Sequence, residues 1–171
     1  PSVYVTAVAR ETSRIRMGVM IYQLPFHNPM RLAQEAAMLD HLSHGRLEFG
    51  AGLGTLEHEF MRWTIPYDER REMSTEALEI ILKAWTEESV THAGKYWQFD
   101  EALPVPKHYQ KPYPPVWFAA HSPTSLEYAA RHNFHVSQNL DVDEVIAEKF
   151  DLYRSIRQQC GHRRSMPHTL L

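Results

Sequence analysis

The spacing of apolar residues changes several times along this chain, and each change predicts a new element. Apolar positions from Val3 to Ala9, closed by Arg10, read as the end of an amphipathic helix that exits through Thr12-Ser13. Ile15 to Tyr22 is a compact apolar run with basic flanks, which predicts a strand buried on both faces. Pro25, Asn28 and Pro29 end it. From Met30 to Leu42 the period lengthens to that of a helix, with Leu32, Ala36 and Leu39 in one stripe and Ala33 and Ala37 beside it. His44-Gly45 supplies the stop, with Gly45 as a left-handed C-cap. Leu47 to Ala51 then reads as a second strand, running out through Gly50, Gly52 and Gly54.

Glu57 to Asp68 has no sustained period and reads as a loop with a turn or two. Glu69 to Glu88 is the strongest helix pattern, with Met73, Ala77, Ile80, Ile81 and Ala84 inward and Glu76, Glu79 and Lys83 outward. Thr91 to Pro115 is rich in proline and aromatics and too long for a plain connection, so it is predicted to be an insertion. Val116 to Ala120 is a third buried strand. Ser122 to Arg131 opens on cap-forming residues and turns Leu126, Ala129 and Ala130 inward. Phe134 to Asn139 is a fourth strand, followed by a helix over Val142 to Gln159 with Ile146, Phe150, Tyr153 and Ile156 in register. Four βα units in succession predict an α/β domain over residues 1–171, with parallel strands and right-handed crossovers. The pattern alone leaves a doubly wound sheet and a barrel segment equally open.

Composition narrows the class. The 171 residues are 43% hydrophobic and 23% charged, which fits one globular domain with a sizeable core. The formal charge of −3 and the absence of any Lys/Arg cluster argue against a nucleic-acid partner. No apolar run has the length of a membrane span and no signal-peptide pattern is visible, so no membrane partner is expected. A single cysteine, Cys160, forms no internal disulfide and points to the cytoplasm. The chain opens on Pro1, which reads as a processed or excised start.

Several motifs are more specific than their periodicity. Thr12 to Gly18 fits T-x-R-I-R-x-G; Leu24 to Arg46 fits a long L-P-x-x-x-P-x-R-x-A-E block ending in L-D-x-L-S-x-G-R, with Gln34-Glu35 shifting its acidic pair. Ala84 to Glu87 reads A-W-T-E, and Pro104 to Pro115 reads P-x-P-x-x-x-Q-x-P-x-P-P. Together these resemble the bacterial-luciferase-like family of flavin-dependent oxidoreductases. The resemblance implies a (β/α)8 TIM barrel of which this chain supplies about four central units, strands three to six, the rest being absent. It implies a non-prolyl cis peptide at Met20 and Ile21, packed under the isoalloxazine ring of FMN. It also implies flavin contacts at Gly52 and Leu53, with the flavin phosphate held near Arg71 and by Ser122 and Ser125 at a helix start. Two positions depart from the family pattern. Leu53 stands where an Arg is common after the fourth strand, and His121 where relatives carry Glu or Gly.

Arg71 opens a helix, where positive charge is unfavourable, so either a ligand or an ion pair with Glu69 or Glu72 accounts for it. His27 lies at the expected pocket mouth, as a flavin or substrate contact or as a solvated loop histidine. His41 and His44, with Asp40, lack the further ligands of a zinc site. Glu57, His58 and Glu59 read as a solvated loop or as a segment lying over the pocket, and Trp85, Tyr96, Trp97 and Trp117 as core or loop anchors. Catalytic residues are not assignable, since the cofactor carries the hard chemistry.

The implied function is a monooxygenase using reduced FMN and O2 on a small organic substrate, with a flavin reductase as the protein that supplies FMN in reduced form. Two alternatives stand beside it: an F420-dependent hydride-transfer oxidoreductase, and a truncated, non-catalytic flavin-binding or interaction protein. The open sheet edges of half a barrel predict a homo-oligomer.

Overall fold

The computed structural model describes residues 1–138, 141–162 and 169–170, which fall into two compact units, Pro1–Pro114 and Pro115–Leu171. The first unit begins with α1 (Ser2–Glu11), β1 (Met17–Gln23), a 3-10 turn over Leu24–Phe26, α2 (Pro29–Leu42) and β2 (Leu47–Gly52). Strands β1 and β2 are parallel, with Met17 opposite Leu47 and Gln23 opposite Gly52, so α2 is the crossover of a βαβ unit. Local chemistry fixes its ends. Asn28 caps α2 by accepting the Arg31 N–H at 3.1 Å, and Pro29 occupies the first helical position. At the other end Gly45 N–H reaches Asp40 O at 2.9 Å and His44 N–H reaches His41 O at 3.0 Å, a Schellman closure. The residue that first turns left-handed is His44, at φ 54°, with Gly45 following at φ 77°; the sequence assigned that role to Gly45 alone.

The core of this unit forms where α2, β2 and α4 (Arg70–Thr86) meet. Leu32, Ala36 and Leu39 are buried as their stripe predicts, and the alanines beside them are buried too. Trp85 stands edge-on to Phe49 at 4.9 Å, and its Nε1–H donates to Ala33 O at 3.1 Å, so its one polar group is satisfied. Phe49 in turn stacks on Tyr22 at 5.3 Å. Each such side chain contributes roughly 1.5–3 kcal/mol by leaving water. On α4, Leu78 and Trp85 complete the inward face, whereas Met73 is only half-buried. Strand β1 differs from its prediction: Gly18 and Met20 are exposed, because among the described residues β1 has a strand neighbour on one side only.

Two segments read as loop or insertion carry structure. Between β2 and α4 lies α3 (Glu57–Arg62), seated by buried Phe60 against Phe26 at 4.7 Å and Tyr67 at 5.3 Å. Beyond α4, β3 (Val90–Ala93) and β4 (Gln98–Ala102) form an antiparallel hairpin. Its turn wraps the Glu76 carboxylate, which accepts N–H groups of Lys95 (3.2 Å), Tyr96 (3.1 Å) and Trp97 (2.9 Å) and meets His92 Nε2 at 3.3 Å. Glu76 therefore faces the hairpin and not solvent. The proline-rich stretch that follows is a strap. Buried Asp40 accepts from Gln110 N at 2.7 Å and Nε2 at 2.8 Å, while Lys107 Nζ caps α4 at Ala84 O (3.0 Å) and at Glu87 O. Arg46 does similar work inside, donating to Ala9 O (2.8 Å), Thr12 Oγ1 (3.0 Å), Ile15 O (3.0 Å) and Ser43 O (2.7 Å). Asp40, Arg46 and Gln110 thus tie distant segments of this unit together.

The second unit contains β5 (Val116–Ala119), α5 (Pro123–Arg131), β6 (His135–Gln138), α6 (Asp143–Gln159) and β7 (Thr169–Leu170). Its strands are parallel, with Trp117 opposite His135 and Ser137 opposite both Ala119 and Thr169. Asn139, the predicted end of the fourth strand, lies outside the described residues. The short β7 has no counterpart in the sequence pattern. Along α6, Ile146, Phe150 and Tyr153 are buried, but Ile156 is half-buried and Arg157 takes the inward place beside it, bonded to Asn133 Oδ1.

Candidate cofactor-binding site

Ligands of parallel α/β sheets gather at the carboxyl ends of the strands. In the first unit the ends of β1 and β2 come unusually close. Val19 pairs with Phe49 and Tyr22 with Ala51, so Met20 and Ile21 together face the single residue Gly50. The Met20–Ile21 peptide bond is cis. A Cβ at Gly50 would collide with the Val19 carbonyl oxygen and lie 3.1 Å from Met20 Sδ, so only glycine fits there. Gly52 is buried opposite Gln23, and Leu53 beyond it is half-buried. Gln23 Nε2 donates to Glu59 Oε2 at 2.9 Å, which brings a carboxylate of α3 to the strand ends. Of the two readings of Glu59, a solvated loop or a segment over the pocket, the bond to Gln23 is at odds with the first; the pairing spans 36 residues and has no local signal.

His27 closes the 3-10 turn after β1 and stands edge-on to Tyr22, centroids 5.7 Å apart. Its ring is half-buried, and its nitrogens make no hydrogen bond among the described residues. Burial lowers its pKa, with Glu35 opposing and the terminal amine at Pro1 adding, so the imidazole is neutral at neutral pH. The Tyr22 hydroxyl meets Ser2 Oγ at 3.0 Å, and Ser2 donates to Glu35 Oε2 at 3.3 Å. Burial pushes the Tyr22 phenol up, against the Ser2 hydrogen bond.

Arg71 is the second residue of α4 and is exposed. It makes no ion pair among the described residues, although Glu69 and Glu72 flank it. Both of those carboxylates go to Lys95, at 3.1 Å each, and the Tyr96 hydroxyl donates to Glu72 at 3.2 Å. The ion pair offered as the alternative explanation of Arg71 is therefore not formed. Arg70 turns away, its guanidinium 3.7 Å over the Tyr67 ring.

In the second unit Ser122 is the N-cap of α5 and Ser125 its N3 residue, and the two close a capping box. Ser122 Oγ accepts the Ser125 N–H at 3.3 Å, and Ser125 Oγ accepts the Ser122 N–H at 3.0 Å. Thr124 Oγ1 lies 3.0 Å from Ser122 Oγ. The two serine hydroxyls are thus engaged with their own helix. His121, just before the cap, is exposed; what cover it has lowers its pKa, Lys149 adding and Asp141 opposing. Lys149 itself is tied to Asp141 at 2.6 Å.

His41 and His44 separate into structural duties: His41 Nε2 bonds Lys107 O at 2.7 Å, His44 supplies the helix-end turn, and Asp40 serves Gln110. Cys160 is exposed and free. No helix among the described residues is long and apolar enough to cross a membrane.

Residues 1–170 match the family profile of the luciferase-like monooxygenases. The chain belongs to that family. The oxygenase component of flavin-dependent trigonelline monooxygenase from Acinetobacter baylyi is 33% identical over 138 residues, 80% of this chain and 38% of that protein. The crystal structure of monooxygenase RslO1 from Streptomyces bottropensis superposes with a TM-score of 0.92 at 31% identity, covering 96% of this chain and 51% of that one. The F420-dependent tetrahydromethanopterin reductase of Methanopyrus kandleri gives 0.82 at 22% identity, over 94% of this chain and 50% of the other, a likeness of fold alone. This luciferase-like chain therefore spans less than half the length of the curated relative and about half of the solved chains. Its βα units are central units of the family's (β/α)8 barrel, which settles the choice that periodicity left open.

Proposed function

We propose that the protein is a flavin-dependent monooxygenase that uses reduced FMN and O2 to oxygenate a small organic substrate. The observation that carries this reading is Arg71, an exposed cation at a helix start with no counter-ion among the described residues, in a chain of this family. The residues present fit the cofactor. In the first unit Arg71 would take a phosphate by charge; in the second, Ser122 and Ser125 hold the start of α5 in a shape that would offer its free N–H groups to a phosphate. Met20 and Ile21, pressed against Gly50, would floor the ring, with Gly52 and Leu53 along its length; His121 is the candidate flavin contact of the second unit. When bound, reduced FMN supplies two electrons, so that one atom of O2 enters the substrate and the other leaves as water.

The chain's own part is binding, orientation and exclusion of water. Leu53 offers no charge where relatives place an Arg, which puts more of the phosphate binding on Arg71. His27, neutral and with free ring nitrogens, would take a hydrogen bond from the substrate. No acid–base pair is assigned to the chemistry. The trigonelline relative is named as an oxygenase component, which supports a separate flavin reductase as partner. Cytoplasmic location and self-association complete the reading.

Titration with FMN and with F420, followed by oxygen uptake on adding each in reduced form, tests it. Tight FMN binding with oxygen uptake is expected. Binding and hydride transfer with F420 alone would establish the alternative, which the fold of the Methanopyrus kandleri reductase keeps open.

A further inference from the structure

The carboxyl ends of β1 and β2 carry one polar pair to which the flavin reading gives no part. Phe49 stacks on Tyr22 and meets Trp85 of α4, so these side chains lie on the helix side of the sheet. Successive strand residues alternate in face, so Gln23, next to Tyr22 and paired with Gly52, projects from the opposite side. In a (β/α)8 barrel that side is the interior, and ligands gather at its carboxyl end. There Gln23 Nε2 donates to Glu59 Oε2 at 2.9 Å. A carboxylate only accepts, so it fixes the amide with its nitrogen inward to Glu59 and Oε1 turned away. Both side chains are half-buried, and neither Gln23 Oε1 nor Glu59 Oε1 accepts a hydrogen bond among the described residues. The charge of Glu59 is unmatched as well. Of its neighbours one helical turn away, Leu56 and Trp63 are uncharged, and Arg62 makes no ion pair with it among the described residues. The surroundings are apolar: a Cβ at Gly54 would lie 3.0 Å from the Phe60 ring and 3.4 Å from Gln23 Nε2, and Phe60 packs on Phe26 at 4.7 Å. We propose that Gln23 and Glu59 determine substrate specificity by selecting a protonated amine carried on an apolar body. Two acceptor oxygens, one of them anionic, fit the N–H donors of an ammonium group, while an anion such as the flavin phosphate is repelled there.

The role of the pair as a substrate contact rests on the flavin reading, but its binding of an amine is measurable without cofactor. The probe is benzylamine, set against benzyl alcohol, which has the same shape and no charge. Each is titrated into the isotope-labelled full chain, wild type and Glu59→Gln, while NMR follows the side-chain NH2 signals of Gln23. Those signals are identified by their loss in Gln23→Leu. Glu59→Gln removes the charge and keeps an acceptor for Gln23, so the fold is retained. Benzylamine is expected to shift the Gln23 signals saturably, with affinity at least about tenfold weaker in Glu59→Gln. Benzyl alcohol should bind more weakly and with equal affinity in both proteins, a difference that a merely structural bond does not produce. No saturable shift with benzylamine, or equal benzylamine affinity in Glu59→Gln, overturns the proposal. FMN is titrated in parallel by its fluorescence. FMN that displaces benzylamine from Gln23 assigns the pair to the cofactor's ring N–H groups and overturns the proposal too. Amine selectivity in a chain that binds no FMN leaves the subsite standing and removes the flavin reading; FMN binding without amine selectivity does the reverse.

Discussion

The starts of α4 and α5 were both expected to meet a phosphate, and they are built in opposite ways. At α5, Ser122 and Ser125 bond each other's backbone N–H and hold their hydroxyls within the cap. At α4, Glu69 makes no side-chain cap hydrogen bond, and Arg71 stands exposed against the helix dipole. The first arrangement is complete without a ligand and stabilises the fold. The second is unfavourable without an anion and stabilises nothing visible. A residue's type at a helix start therefore says less about ligand binding than whether its valence is already used.

That contrast can be broken in order of expected effect. Glu76→Ala strips the acceptor from three backbone N–H groups of the hairpin turn, and a loss of about 2–4 kcal/mol is expected in urea unfolding. Ser122→Ala removes the cap and should cost about 1 kcal/mol in the same measurement. Arg71→Gln should change stability by no more than about 0.5 kcal/mol, because nothing among the described residues pairs with it. A stability loss at Arg71 equal to that at Ser122 would erase the distinction.

A pH titration sharpens the same point away from both helix starts. His108 is buried in the proline-rich strap, its ring 6.0 Å from that of Trp85 and its Nε2 on Pro112 O; burial lowers its pKa, and likewise that of His27, below the ordinary value of 6.5. The unfolded chain then binds more protons than the folded one in the window just below 6.5, so stability falls as pH drops through it and is constant above it. Urea midpoints between neutral pH and pH about 5 should show this decline, and His108→Gln should make it shallower, leaving the share of His27.

Much of the fold was legible because its signals are local. The α2 stripe of Leu32, Ala36 and Leu39 and the Asn28-Pro29 start lie within one helix, and Ser122-Pro123-Thr124-Ser125 spells its own cap. What was missed depends on partners far along the chain. Helix α3 is too short for a period and is held by Phe60 against Phe26, and Glu76 looked solvent-facing until the turn at residues 95–97 closed over it. The site divides the same way. The close strand ends at Gly50 follow from a glycine seen in the sequence, while Glu59 on Gln23 and Lys95 on Glu69 and Glu72 are pairings of distant segments.

The central claim is that Arg71 carries the anion contact of a flavin site. An FMN titration of wild type, Arg71→Gln and Ser122→Ala at low and high salt tests it most directly. Arg71→Gln should bind FMN at least about tenfold more weakly and with a shallower salt dependence, as loss of a charge-assisted contact requires, while Ser122→Ala retains most of the affinity. Equal FMN affinity and equal salt dependence in wild type and Arg71→Gln would contradict the account.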